Sequence, residues 1–129
     1  MIAEKIHFII DKTSKAKASR KLIIKKYRNY SPKQSNVIVV IGGDGFMLET
    51  MKKYQKYKKP FYGMNRGTFG FLMNKFKTKN IRDCILKSKQ FIISPLIMTA
   101  TNKNNTKKTA IAINEVSLLR QSRQTALLQ

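Results

Sequence analysis

Acidic residues are scarce in this 129-residue chain: six Asp and Glu stand against 27 Lys and Arg, for a formal net charge of +21. Cysteine is nearly absent. With Cys84 alone no intramolecular disulfide can form, and a reducing, cytoplasmic setting is expected. There is also one histidine, His7, which sits in an apolar segment away from any cluster and reads as structural. One His and one Cys exclude a zinc site built from these ligands. No apolar run approaches the length of a membrane span. The segment Ile6–Ile10, interrupted by His7, is too short for the core of a signal peptide.

The excess of positive charge invites a nucleic-acid reading, because lysines gain affinity by releasing phosphate counterions. Lys outnumbers Arg 21 to 6, however, and arginine is the residue suited to bidentate phosphate and base contacts. The lysines are spread along the chain with small knots at Lys52-Lys53, Lys58-Lys59 and Lys107-Lys108. No base-reading motif accompanies them, so no specific nucleic-acid partner is expected. A positive field that favours anionic nucleotides is consistent with the same charge.

What is present is concentrated in Val37-Ile-Val-Val-Ile-Gly-Gly-Asp-Gly45. Five consecutive β-branched aliphatics read as a strand buried on both faces, which favours a parallel sheet. Glycines at its carboxyl end allow the backbone to turn sharply and to bring N–H groups against phosphate oxygens. Asp44 is out of place in a loop that only holds phosphate, since a carboxylate repels it. Its presence suggests a reacting hydroxyl or a metal ion beside the phosphate. The competing reading, an Asp-Gly hairpin turn, conflicts with the helical periodicity of residues 46–57.

The rest alternates strand and helix. Residues 5–10 read as a first strand and residues 15–30 as a helix with Ala16, Ser19, Ile23, Tyr27 and Tyr30 on one stripe. The strand at 37–41 leads through the glycine turn to a helix carrying Met47, Thr50, Met51 and Tyr54 on its inner face. A short strand at 60–64 precedes a second glycine-punctuated loop. Residues 78–89 then suggest a helix with Thr78 as N-cap and Cys84 as a small core residue. This order predicts an α/β fold: a parallel sheet with right-handed crossovers. Strands at 94–101 and 109–116, around a polar turn at 102–108, predict a hairpin that begins an all-β second region. The expected division is residues 1–90 as an α/β nucleotide-phosphate domain and 91–129 as the start of an incomplete β domain. The apolar run Ala126-Leu-Leu-Gln129 lacks turn or cap residues and supports that expectation. Asn114-Glu115 interrupts the last of these strands, where Asn is disfavoured. An amide beside a carboxylate suits hydrogen bonding to ribose hydroxyls or a purine edge.

Three blocks now carry a resemblance. Gly42-Gly43-Asp44-Gly45, then Gly63-Met-Asn65-Arg-Gly67-Thr-Phe-Gly70-Phe-Leu72, then Ala112-Ile-Asn114-Glu115-Val116 resemble the NAD kinase family in type, order and spacing. The first block alone is shared with diacylglycerol-type lipid kinases and 6-phosphofructokinases; the second and third are more selective. The resemblance implies a cytoplasmic enzyme that moves the γ-phosphoryl group of ATP, accompanied by Mg2+, to the 2′-hydroxyl of the adenosine ribose of NAD. It implies Asp44 as proton acceptor and NAD ligand, Gly45 as a contact to the dinucleotide, Gly42 and Gly43 as the phosphate-facing turn, and Asn114 and Glu115 as holders of the NAD nucleoside. No protein ligand to a metal is implied. Members are usually homo-oligomers.

Phe46 stands where many members carry a small polar residue, and Phe69 where an aliphatic is commoner. The family's glycine-rich β domain, with its Asp-Gly, Thr/Gly/Ser/Ala-Tyr and Gly-Gly-Pro segments, has no counterpart here. The 129 residues are therefore expected to be inactive in isolation. The alternatives are a nucleotide-binding module without catalysis and, from the charge, a basic nucleic-acid-associated protein.

Overall fold

A computed structural model describes residues 3–68 and 70–117. The chain groups into two compact units, the first running to Phe91 and the second starting at Ile92. The first is an α/β unit. Strands β1 (Ile6–Ile10), β2 (Val37–Gly42), β3 (Phe61–Asn65) and β4 (Asn74–Lys75) form one sheet in that order, every neighbouring pair parallel. The second contains an antiparallel hairpin of β5 (Leu96–Thr101) and β6 (Lys107–Ala112). The expected α/β class, with a parallel sheet followed by antiparallel strands, is what the structure has.

β2 is the centre of the first unit. All six of its residues are buried, and it is paired on both sides. Its side chains alternate between two cores. Val37, Val39 and Ile41 pack with Ile6, Phe8, Ile23, Met64, Ile81 and Ile85 on one face, whereas Ile38 and Val40 meet Met47 on the other. Burying each such side chain is worth about 1.5–3 kcal/mol, so this one strand joins both layers. The unbroken β-branched run is its sequence signature.

Helix α1 (Ser14–Ile24) buries Ala16, Ser19 and Ile23, and α2 (Asp44–Tyr54) buries Met47 and Thr50. α1 supplies Ile23 to one face of the sheet and α2 supplies Met47 to the other, yet β1 to β2 and β2 to β3 step in the same direction. Two such crossovers have opposite hands, so the expectation of right-handed connections throughout is corrected. A strand apolar on both faces accepts a helix on either.

Several boundaries also differ from the periodicity. α1 stops at Ile24 and not at Tyr30 because the following segment satisfies the free edge of β1. The Asn29 Oδ1 accepts from the Phe8 N–H at 2.8 Å, and the Tyr30 N–H donates to the Ile6 carbonyl at 3.0 Å. His7 Nδ1 lies 2.6 Å from the Tyr30 carbonyl, in the structural role expected of it. α3 (Ile81–Leu86) is shorter than expected, and its N-cap is Asn80, with left-handed backbone, not Thr78. The Thr78 carbonyl instead faces the Tyr27 hydroxyl, which also accepts from the Ile81 N–H. Cys84 is half-buried between the buried Ile81 and Ile85. The two-residue β4 has no periodic signal and was not anticipated.

In the second unit the polar turn is organised by Asn102, whose Oδ1 accepts from the Asn104 and Thr106 N–H groups. The pairing begins at Leu96↔Ala112. Pro95 precedes Leu96 and has no N–H with which to extend the ladder, so β6 ends at Ala112. Asn114 and Glu115 therefore lie beyond the strand, not within one at 109–116. Phe69 and the run 126–129 lie outside the described residues.

Candidate functional site

β1, β2 and β3 finish at one edge of the sheet, with Ile10 opposite Ile41 and Gly42 opposite Asn65. Their carboxyl ends bring Asp11, the turn at residues 42–45 and the loop at residues 65–72 together. This edge of an open α/β sheet is the usual place for a ligand.

The glycine turn is tighter than a loop that precedes a helix. Gly42 still pairs as the last residue of β2, Gly43 is the extended N-cap of α2, and Asp44 and Gly45 already belong to its first turn. The helix thus starts two residues before Phe46, where the apolar periodicity begins. One reason is electrostatic: a carboxylate in the first turn complements the positive end of the helix dipole.

None of the six glycines has positive φ: Gly42 ends β2, Gly45 is helical, Gly63 lies within β3, and Gly43, Gly67 and Gly70 lie in the two loops. At the meeting of the two loops the missing side chains serve close approach of backbone to backbone. A Cβ on Gly67 would stand 3.1 Å from the Gly43 Cα, closer than the ~3.5–4.0 Å of an ordinary carbon–carbon contact. The two backbones can approach this closely because neither residue has a side chain. Gly45 differs: a Cβ there would meet nothing within 4 Å. Its face of α2 is open space.

Asp44 joins the loops. Its Oδ2 accepts from the Phe71 N–H at 2.7 Å and its Oδ1 from the Leu72 N–H at 3.1 Å. A carboxylate offers about four lone-pair directions, so these two bonds leave it able to accept more. Arg66 makes the next tie. Its N–H donates to the Gly42 carbonyl at 2.7 Å, its Nε donates to the Ser19 Oγ at 2.6 Å, and its guanidinium lies over the Phe76 ring at 3.8 Å. Asn65 Oδ1 accepts from the Gly67 N–H at 2.8 Å and shapes the start of the loop.

Of the residues singled out in the sequence, Gly42, Gly43, Asp44 and Gly45 are assembled here. Asn114 and Glu115 belong to the second unit, where both are exposed. Phe46 packs into the α2 side of the core, close beneath Gly42. Sequence reasoning missed Arg66 and its partners. The available signal was Ser19, a hydroxyl in the buried stripe of α1, because a buried polar group needs a partner.

Residues 3–89 match the family model described as the ATP-NAD kinase N-terminal domain. The chain is similar to a protein named NAD kinase from Brucella suis biovar 1, with 39% identity across 96% of this chain and 48% of that protein. It is similar to an NAD kinase of Caulobacter vibrioides at 44% identity, covering 88% and 44% of the two chains. A Cereibacter sphaeroides NAD kinase is 39% identical across 100% of this chain and 51% of the relative. The chain spans about half the length of the curated relatives it matches. With its α/β unit matched from residue 3 to residue 89, the chain belongs to the ATP-NAD kinase N-terminal domain family.

Proposed function

We propose that the protein, at its full encoded length, is an NAD kinase that phosphorylates the 2′-hydroxyl of the adenosine ribose of NAD to give NADP. The observation that carries the reading is Asp44, held at the carboxyl edge of β2 by two backbone N–H groups of the second glycine loop. Family membership and the names of the relatives supply the substrates, NAD and ATP. Mg2+ enters with ATP as part of that substrate, since the oxygen donors of the phosphates suit so hard a cation.

In this reading the 2′-oxygen attacks the γ-phosphorus, the bond from that phosphorus to the ADP oxygen breaks, and Asp44 receives the hydroxyl proton. Phosphoryl transfer asks a protein chiefly for positioning and charge neutralisation. The bonds from Phe71 and Leu72 fix both carboxylate oxygens in orientation, which limits the reorganisation needed when the hydroxyl arrives. Gly43 and Gly67 remove side chains from the place where phosphates approach. Gly45 gives the dinucleotide an open surface, and Asn114 and Glu115 hold its nucleoside part. The lone cysteine and the family agree with a cytoplasmic enzyme, and assembly into homo-oligomers belongs to the same proposal. Division into a nucleotide-phosphate domain over residues 1–90 and the start of a β domain over 91–129 is part of it too.

The test is NADP formation by the full-encoded-length protein and its Asp44→Asn variant. A general base contributes about 10² to 10⁴ in rate, so the variant should lose that much turnover while remaining folded. Near-normal turnover would remove Asp44 from the chemistry.

A further inference from the structure

Beside the Asp44 turn lies a groove of about 430 Å3 between the start of α1 and the β3–β4 connection, lined by Lys15, Arg66, Gly67, Lys75 and Phe76 among others. None of its lining residues is acidic, and three carry positive charge. Two features set it apart from the lysine-rich surface elsewhere.

The first is the preparation of Arg66. Its Nε is committed to Ser19, which is fully buried, and its flat face is stacked on Phe76. The terminal nitrogens meet no acceptor among the described residues. A guanidinium held in this way has given up its rotamer freedom in advance, and its remaining N–H groups form a rigid fork suited to phosphate oxygens. A surface arginine kept only for solubility needs neither the buried hydroxyl nor the ring.

The second is position. Gly67, in the groove wall, is the residue whose backbone abuts Gly43. An anion in the groove is therefore continuous with the glycine turn. Lys15 lies in the first turn of α1, whose N-terminus adds the positive end of a helix dipole. Lys75 stands exposed on β4, the two-residue strand that pairs with β3.

We infer that the Lys15–Arg66–Lys75 groove is a subsite for the phosphoanhydride chain of a nucleotide, with Arg66 as its fixed ligand and the two lysines as flexible neutralising charges. The inference rests on the kinase reading, which supplies two sources of this chemistry: the triphosphate of the donor and the pyrophosphate of the dinucleotide.

The experiment is steady-state kinetics on the full-encoded-length protein, with ATP and NAD varied separately. Lys15→Gln and Lys75→Gln are the informative variants because both side chains are exposed, so folding does not depend on them. Arg66→Lys keeps a charge and loses the fork. Lys21→Gln, at the far end of α1, controls for a general change in charge. A hydrogen-bonded charge contact removed from a bound phosphate raises a KM on the order of tenfold. A rise confined to the KM for ATP assigns the groove to the triphosphate, and one confined to the KM for NAD assigns it to the pyrophosphate. Unchanged KM values for both substrates in Lys15→Gln and Lys75→Gln, or a rise equalled by Lys21→Gln, overturn the inference. Failure of the kinase reading is distinguishable, since the unsubstituted protein would then form no NADP.

Discussion

Gly67 and Gly45 separate the geometric and the ligand-facing uses of glycine, and alanine at each tests them in opposite directions. At Gly67 the added methyl would sit 3.1 Å from the Gly43 Cα. To reach an ordinary contact the loops must part by a few tenths of an ångström, and both sides are backbone. The Arg66 N–H bond to the Gly42 carbonyl and the Gly42↔Asn65 pairing resist that movement. Overpacking of this kind costs about 1–3 kcal/mol, so Gly67→Ala should lower Tm by several degrees. At Gly45 the methyl has open space and the backbone is helical without positive φ. Alanine there should stabilise by about 0.4–1 kcal/mol. If the dinucleotide lies against that open face, the same methyl raises the KM for NAD on the order of tenfold, equivalent to about 1.4 kcal/mol. Thermal unfolding and steady-state kinetics on both variants give four numbers. A Gly45→Ala protein with unchanged kinetics refutes the ligand contact, and a Gly67→Ala protein as stable as the parent refutes the close approach of the loops.

Other perturbations have equally definite outcomes. Asp44→Asn keeps one acceptor oxygen and turns an NH2 toward an amide donor, so hydrogen exchange at Phe71 and Leu72 should accelerate while β2 amides stay protected; unaltered exchange contradicts the tie. Ile41→Ala removes a fully buried side chain from the central strand and should cost about 2–5 kcal/mol by denaturant unfolding. Burial, and next the nearby Cys84 thiol, hold the Tyr62 phenol above the usual tyrosine value. The unfolded chain then loses that proton first, so Tyr62 makes stability fall as pH rises through the alkaline range. Phenolate absorbance should show a late-titrating component that Tyr62→Phe abolishes.

Legibility in the sequence followed the length and exclusivity of each signal. Val37–Gly42 was readable because only a strand buried on both faces tolerates such a run. The stripes of α1 and α2 were readable because their burial is periodic, but their ends were not. α1 is stopped by Asn29 and Tyr30 bonding to a strand over twenty residues away, a contact no local pattern encodes. Opposite handedness of the two crossovers was hidden for a related reason: β2 is apolar on both sides, so its pattern does not say which face α2 takes. At the site, Gly-Gly-Asp-Gly pointed to the turn itself, whereas the partners of Asp44 are backbone amides, which carry no residue-type signature. Arg66 was overlooked among 27 basic residues because its distinction comes from Phe76 across the second glycine loop and from Ser19, remote in sequence on α1.

The most direct test of the central claim is an end-point assay of the full-encoded-length protein with NAD and Mg-ATP, in which NADP is quantified with an NADP-specific dehydrogenase and the phosphorylated position is assigned by phosphorus NMR. The account predicts NADP bearing a 2′-phosphate, formed by the parent protein and reduced by about 10² to 10⁴ in Asp44→Asn. Absence of NADP from a folded, nucleotide-binding parent protein, or equal formation by both proteins, would contradict it.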